Sequence, residues 1–333
     1  MMIYIQYLAV AGVIVFATLR LSYYVDVIDR RTTISGALLG GVLLAAITSL
    51  PELITSLTSA LYLNEGALAY GNVLGSNLFN ILILAVADFI FIKHVFFNEV
   101  KATVKPNLIV FVMYLTFLIP LGLDALGILD SSAWTLNLGL TINASSLIII
   151  GLYVFSLQNL NTPEAREDTD DSTLSMRGIL LRLFLWGVIV VGGSILVTLL
   201  TEDIALRLGL AQSFAGAIFL GVATSLPELT AVIALFRLRN YTVALGNITG
   251  SNAFNFLIIA LTDVVVLRDD IFQTAINDLA SASNLTWLLL LGALNTIILG
   301  VALVKKPTQN KWIYYLFPAS IALVYIGYLL ASI

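Results

Sequence analysis

Ten stretches of nearly unbroken apolar residues run along this 333-residue chain, near 1–19, 34–61, 67–92, 106–123, 134–157, 178–200, 209–236, 241–266, 285–304 and 313–331. Each approaches the roughly 20 residues that a helix needs to cross a bilayer. The pattern therefore predicts ten transmembrane helices. Polar breaks separate them at NEG (64–66), at GLDALGILDSS (122–132) and in the long run NLNTPEAREDTDDSTLSMR (159–177). Inside these apolar stretches a polar pattern occurs twice. Residues 40–55 read GGVLLAAITSLPELIT, and residues 216–231 read GAIFLGVATSLPELTA. Further on, AYGNVLGSNLFNILILAVAD (69–88) is matched by ALGNITGSNAFNFLIIALTD (244–263). Acids, amides and hydroxyls are expensive at membrane depth, so a duplicated cluster of them reads as an ion or substrate site.

Composition supports a polytopic membrane protein. Charged residues are 11% of the chain, where a soluble domain carries about a quarter. Mean hydropathy is +1.00. The absence of cysteine removes disulfides, thiol catalysis and thiolate metal sites. Basic residues are scattered over short loops, with no patch that would hold a nucleic acid. MMIYIQYLAVAGVIVFATLR lacks a basic leader region and a clear cleavage site, and reads as a retained first span.

Charge sets the orientation. With the N-terminus outside, Arg20, Arg30, Arg31, Lys93, Lys101, Lys105, Arg166, Arg177, Arg182, Arg237, Arg239, Lys305, Lys306 and Lys311 fall inside, and only Arg207 and Arg268 outside. That bias follows the positive-inside rule and supports the count of ten. Both termini are then outside and 159–177 is a cytoplasmic linker. Each half, 1–158 and 178–333, holds five spans. An odd number makes the second half enter from the opposite side, so the expected fold is all-α, two inverted five-helix repeats whose motifs meet near the midplane.

Pro51 and Pro227 lack an N–H and clash with the carbonyls of Ile47 and Ala223, so both helices should break there. Freed carbonyls in lipid need a partner, and a bound cation is one candidate. Thr48 and Ser49, like Thr224 and Ser225, precede Glu52 and Glu228 by three or four residues on the same face. Asn72, Ser76 and Asn80, and likewise Asn247, Ser251 and Asn255, form polar stripes at a spacing of four. For Asn72, Asn77, Asn247 and Asn252, hydrogen bonding between helices and ion binding stand as equal readings. Gly71 with Gly75 and Gly246 with Gly250 are GxxxG pairs, read as helix packing. The donor set is all oxygen and suits hard cations such as Ca²⁺ and Na⁺. Two carboxylates are neutralised by one Ca²⁺ or two Na⁺, and protons would compete for the same groups.

At these motifs the chain resembles the cation/calcium exchanger superfamily, and TSLPEL resembles its sodium/calcium exchanger branch. The four motifs stand in the family's order and cover nearly the whole chain. The resemblance implies Glu52 and Glu228 as central Ca²⁺ ligands, with backbone oxygens of Thr48 and Thr224. It implies sodium positions at Ser49, Ser76, Ser225 and Ser251 with carbonyls near Ala45 and Gly221, and places Asn80 and Asn255 at the centre. It further implies alternating access, with the first and sixth helices sliding over a more rigid core. The chain departs from the family at Asn255, often Asp, and at Ile47 and Ala223, usually Gly. Asp88 and Asp263 are outside the pattern; they are read as acids at helix ends, snorkelling or recruiting cations at opposite mouths.

The expected function is a secondary antiporter exchanging Na⁺ for Ca²⁺ in a prokaryotic plasma membrane, needing no cofactor and no obligatory protein partner. H⁺-coupled export of Ca²⁺ or another divalent cation is the alternative. A channel fits inverted repeats less well. An intramembrane enzyme is disfavoured by the lack of HExxH and GxGD motifs and by a single histidine, His94, read as a solvated loop residue. The acidic run 164–171 lacks the spacing of a calcium-binding EF-hand loop.

Overall fold

A computed structural model describes residues 2–31, 46, 48–91, 96, 100, 104–137, 141–157, 175–237, 239, 241–266, 270–305 and 311–332. His94, Ala45, Ile47 and the run 164–171 lie outside the described residues. The elements are α1 (Met2–Arg31), α2 (Leu50–Leu57), α3 (Gly66–Phe91), α4 (Lys105–Ala125), a hairpin of β1 (Thr135–Asn137) and β2 (Thr141–Asn143), and α5 (Ala144–Leu157). The second half supplies α6 (Met176–Leu208), α7 (Gln212–Thr224), α8 (Leu226–Arg237), α9 (Tyr241–Val266), α10 (Ile271–Asn277), α11 (Leu279–Lys305) and α12 (Lys311–Ala331).

Seven of the described helices are long and apolar enough to span a bilayer, and the bent pair α7–α8 makes an eighth. The expected spans 34–61 and 134–157 complete the ten segments. The first of these two is described from Ala46 onward, as the end of a broken helix. The second corrects the sequence reading, because helix begins only at Ala144, and residues 135–137 and 141–143 pair as antiparallel strands. Thr135, Leu136 and Asn137 face Asn143, Ile142 and Thr141. This polar–apolar alternation is a strand pattern, and buried acids of the other half hold it. Asn143 Nδ2 and Thr135 Oγ1 donate to Asp270 Oδ2 at 2.9 and 2.6 Å.

Burial separates the helices into a core and a periphery. The most apolar windows of α3 and α9 are 72% buried, against 28% for α1 and α6. Around the α3–α9 pair, Tyr70, Tyr114, Phe117, Phe256 and Phe272 interlock, with Tyr114 edge-on to Phe256 at 4.7 Å between ring centres. The outer helices α1 and α6 pack on each other along their length, with Ala17, Leu21 and Val190 in one buried cluster and Tyr24, Val27 and Ile179 in another.

Glycine lets α3 touch α7 backbone to backbone. A Cβ at Gly71 would lie 2.8 Å from the carbonyl carbon of Ser213, and one at Gly75 would lie 2.7 Å from Cβ and O of Ala217. The reverse contacts hold too, since a Cβ at Gly221 would lie 2.8 Å from the Ser76 nitrogen. This is the close approach that GxxxG spacing provides at Gly71 and Gly75, whereas a Cβ at Gly246 or Gly250 would meet nothing within 4 Å, so the second pair is not a packing seam. π-Helical turns at Thr58–Tyr62 and Gly216–Leu220 flank the two broken segments, which no residue pattern had announced.

Candidate functional site

Both helices that carry TSLPEL break two residues ahead of the motif's proline. Ser49 has φ −92° and ψ 14°, and Ser225 has φ −86° and ψ 3°. The axes of α7 and α8 differ by 43°. Proline fits the first turn of the new helix, where its missing N–H costs nothing, and each Glu follows it directly. Glu52 and Glu228 are thus fixed at helix starts, both fully buried.

The two breaks cross. Ser49 Oγ donates to Glu228 Oε1 and Ser225 Oγ donates to Glu52 Oε1, both at 3.4 Å. Thr48 likewise reaches Glu228, and Thr224 reaches Glu52. Each carboxylate is thus held by hydroxyls of the other half's broken segment. Neither forms an ion pair among the described residues. The stripes of α3 and α9 close the sides. Ser251 Oγ donates to Glu228 Oε1 at 3.4 Å, and Ser76 Oγ donates to the Gly221 carbonyl at 3.2 Å. Glu52, Glu228, Thr48, Thr224, Ser49, Ser225, Ser76, Ser251 and Gly221 are therefore gathered in one place. Ala45 falls outside the described residues.

Asn80 and Asn255 sit one helical turn beyond Ser76 and Ser251 on the same stripes. Their nitrogens donate to Asn252 Oδ1 and Asn77 Oδ1, both at 2.9 Å. Among the residues gathered here, four buried acceptors are left without a hydrogen bond: Glu52 Oε2, Glu228 Oε2, Asn80 Oδ1 and Asn255 Oδ1. Unpaired buried atoms occur elsewhere in the structure too, but among the described residues only here do they include both carboxylates together with two related amide oxygens. No three His, Asp or Glu side chains converge among the described residues. The chemistry on offer is two carboxylates surrounded by neutral oxygens.

The flanking amides divide between the two readings open at the sequence level. Asn72 Nδ2 ties α3 to α2 through Thr55 Oγ1 at 2.7 Å and Ser56 Oγ at 3.0 Å. Its counterpart Asn247 has no partner for Nδ2, because Ala231 and Val232 stand where Thr55 and Ser56 would be in the first half. Asn77 and Asn252 bond across the α3–α9 contact, and neither of their oxygens is free for an ion.

Asp88 and Asp263 do not snorkel and do not sit at open mouths. Asp263 is fully buried and accepts from Asn143 N at 2.9 Å, Ser146 Oγ at 2.7 Å and Ile271 N at 3.3 Å. Asp88 is 3% exposed and accepts from Tyr314 Oη at 2.6 Å and from the backbone of Phe96. Each acid ends its core helix by receiving an N–H from the segment that follows, a repeated fastening role that lay beyond reach of local pattern.

Comparison with known proteins agrees with this architecture. The family described as sodium/calcium exchanger protein matches residues 3–160 and 177–333, so the chain belongs to that family. It is 27% identical over 259 residues to the inner membrane protein YrbG of Escherichia coli, covering 74% of each chain. Among solved structures, the H⁺/Ca²⁺ exchanger CAX shares the fold at a TM-score of 0.63 and 15% identity, over 99% of this chain and 88% of the other. The sodium-calcium exchanger NCX_Mj does so at a TM-score of 0.57 and 17% identity, over 98% of both chains. The protein is an integral membrane transporter of the cation/calcium exchanger class, built as two inverted repeats, and not an enzyme.

Proposed function

We propose that the protein exchanges Na⁺ for Ca²⁺ as a secondary antiporter, with both cations bound in turn at the crossing of the two broken helices. The observation that carries this reading is the set of four unpaired buried oxygens on Glu52, Glu228, Asn80 and Asn255. One Ca²⁺, or two Na⁺, balances the two carboxylates; a further Na⁺ would make the cycle electrogenic. Ser49, Ser225, Ser76 and Ser251, with the carbonyls near Ala45 and Gly221, would serve sodium, and backbone oxygens of Thr48 and Thr224 would join the carboxylates around Ca²⁺.

Alternating access would come from α1 and α6, which are mostly exposed and pack on each other and on the broken segments α2, α7 and α8 rather than on the buried α3–α9 pair. The halves 1–158 and 178–333 would act as the two repeats, joined by 159–177 on the cytoplasmic side of a prokaryotic plasma membrane. Both termini would be outside, and no protein partner is required.

Coupling to H⁺ is the second reading. Asn255 favours it, because the carboxamide leaves the site with two acids where an Asp would give three, and so limits the sodium charge it can balance. The test is ⁴⁵Ca²⁺ uptake into proteoliposomes under an imposed Na⁺ gradient or pH gradient. Uptake that follows Na⁺ and vanishes in Glu52→Gln is expected. Uptake that ignores Na⁺ and follows pH would replace the first reading by the second.

A further inference from the structure

We infer that Asn77 and Asn252 are positioning residues that dictate which end of Asn255 and of Asn80 faces the transported cation. The inference rests on the proposed cation site and assigns it a supporting layer.

A carboxamide has a donor end and an acceptor end, and rotating it by half a turn exchanges them. A cation needs the oxygen. Nothing in Asn80 or Asn255 alone selects it. The selection starts from the backbone. Asn77 Nδ2 donates to the Asn252 carbonyl at 3.3 Å, and a carbonyl can only accept. That contact fixes the orientation of the Asn77 amide and turns its Oδ1 toward α9. There it receives Asn255 Nδ2 at 2.9 Å, so the donor end of Asn255 is spent. Asn255 Oδ1 is left on the other side, buried and unpaired.

The second half repeats the sequence of constraints. Asn252 Nδ2 donates to the Asn77 carbonyl at 3.2 Å, Asn252 Oδ1 receives Asn80 Nδ2 at 2.9 Å, and Asn80 Oδ1 is left unpaired. All four side chains are at most 2% exposed, so water does not scramble the order. Flipping Asn255 would set its oxygen against Asn77 Oδ1 and aim an NH₂ at a cation, two unfavourable contacts at once. The arrangement also fits an amide rather than a carboxylate at 255. An Asp there would face Asn77 Oδ1 oxygen to oxygen, so the belt holds the charge of the site at the two glutamates.

Double-mutant cycles on the full chain test this, because residues that act through one oxygen are non-additive. The readouts are the apparent Kd from Ca²⁺-induced thermal stabilisation and the KM of ⁴⁵Ca²⁺ uptake, with Na⁺-induced stabilisation measured alongside. Asn77→Leu and Asn255→Ala should each weaken Ca²⁺ about tenfold, the loss of one charge-assisted contact. The pair together should be no weaker than the worse single variant. Asn77→Leu with Asn80→Ala should instead multiply to about a hundredfold. An unchanged Kd in Asn77→Leu, or a multiplying Asn77/Asn255 pair, would overturn the inference and leave the exchanger reading intact. If Asn77→Leu does not fold, the mirror cycle of Asn252→Leu with Asn80→Ala decides. Collapse of both would assign these amides to scaffold alone and overturn it. A wild-type protein blind to both Ca²⁺ and Na⁺ would remove the functional reading and this inference with it.

Discussion

Replacing Gly75 by Ala should damage ion binding without touching any candidate ligand. The new Cβ would lie 2.7 Å from both Cβ and O of Ala217, where 3.4 Å marks ordinary contact. Ala217 belongs to the π turn Gly216–Leu220, backbone rather than a yielding side-chain tip. Helix α7 must therefore retreat from α3 by roughly 1 Å, and overpacking of this kind costs about 1–3 kcal/mol. Four residues on, the Gly221 carbonyl holds Ser76 Oγ at 3.2 Å. A shift of that size breaks the bond and moves Thr224 and Ser225 away from Glu52. The expected result is a melting temperature lowered by several degrees in detergent and a Ca²⁺ KM at least tenfold higher, read by thermal melts and ⁴⁵Ca²⁺ uptake. Gly151→Ala is the control. A Cβ there meets nothing within 4 Å and Ala favours helix over Gly, so KM should match wild type and melting should be no lower. Wild-type melting and KM in Gly75→Ala would refute the claim that α3 and α7 touch backbone to backbone.

Further outcomes follow from other contacts. Tyr314→Phe deprives Asp88 of its 2.6 Å donor and should cost about 1.5–3 kcal/mol of stability, with the Ca²⁺ KM unchanged. Ser146→Ala should cost less than that in the same unfolding assay, since Asn143 N and Ile271 N still hold Asp263. Glu65, in the turn before α3, has its carboxyl pushed above the usual range by burial and then by Glu202 and Asp278. A raised folded-state value means that deprotonation works against the fold, so stability falls as pH rises through it. Glu65→Gln should thus melt higher than wild type at pH 7 and equal to it near pH 4. Tyr7→Phe removes the 2.6 Å bond from α1 to the Phe219 carbonyl; uptake should show an altered turnover with KM preserved, and the opposite split would count against a sliding α1.

Much of the site was written in the chain because its parts are local and doubled. Pro beside Glu announces a break with an acid at the new helix start, and a spacing of four announces a stripe. What stayed hidden depends on groups far away in sequence. WTLNLGLTIN passes for membrane helix by hydropathy, yet Thr135–Asn137 and Thr141–Asn143 pair as strands once Asp263 and Asp270, more than a hundred residues later, offer acceptors. Asp88 looked like a helix-end acid because Tyr314 is 226 residues distant. The division of the asparagines was undecidable for the same reason. Asn77 and Asn80 are chemically identical, and only the carbonyl of Asn252 on another helix makes one a brace and leaves the other an open oxygen.

The exposed outer flanks of the α1–α6 pair have a mechanical consequence. Less than a third of each apolar window is buried, so the flanks these two helices turn away from each other lie against acyl chain. Any stroke they make must shear lipid as well as protein. Friction from the surrounding bilayer then belongs to the transport barrier, and membranes of different fluidity or thickness should set different exchange rates for one unchanged binding site.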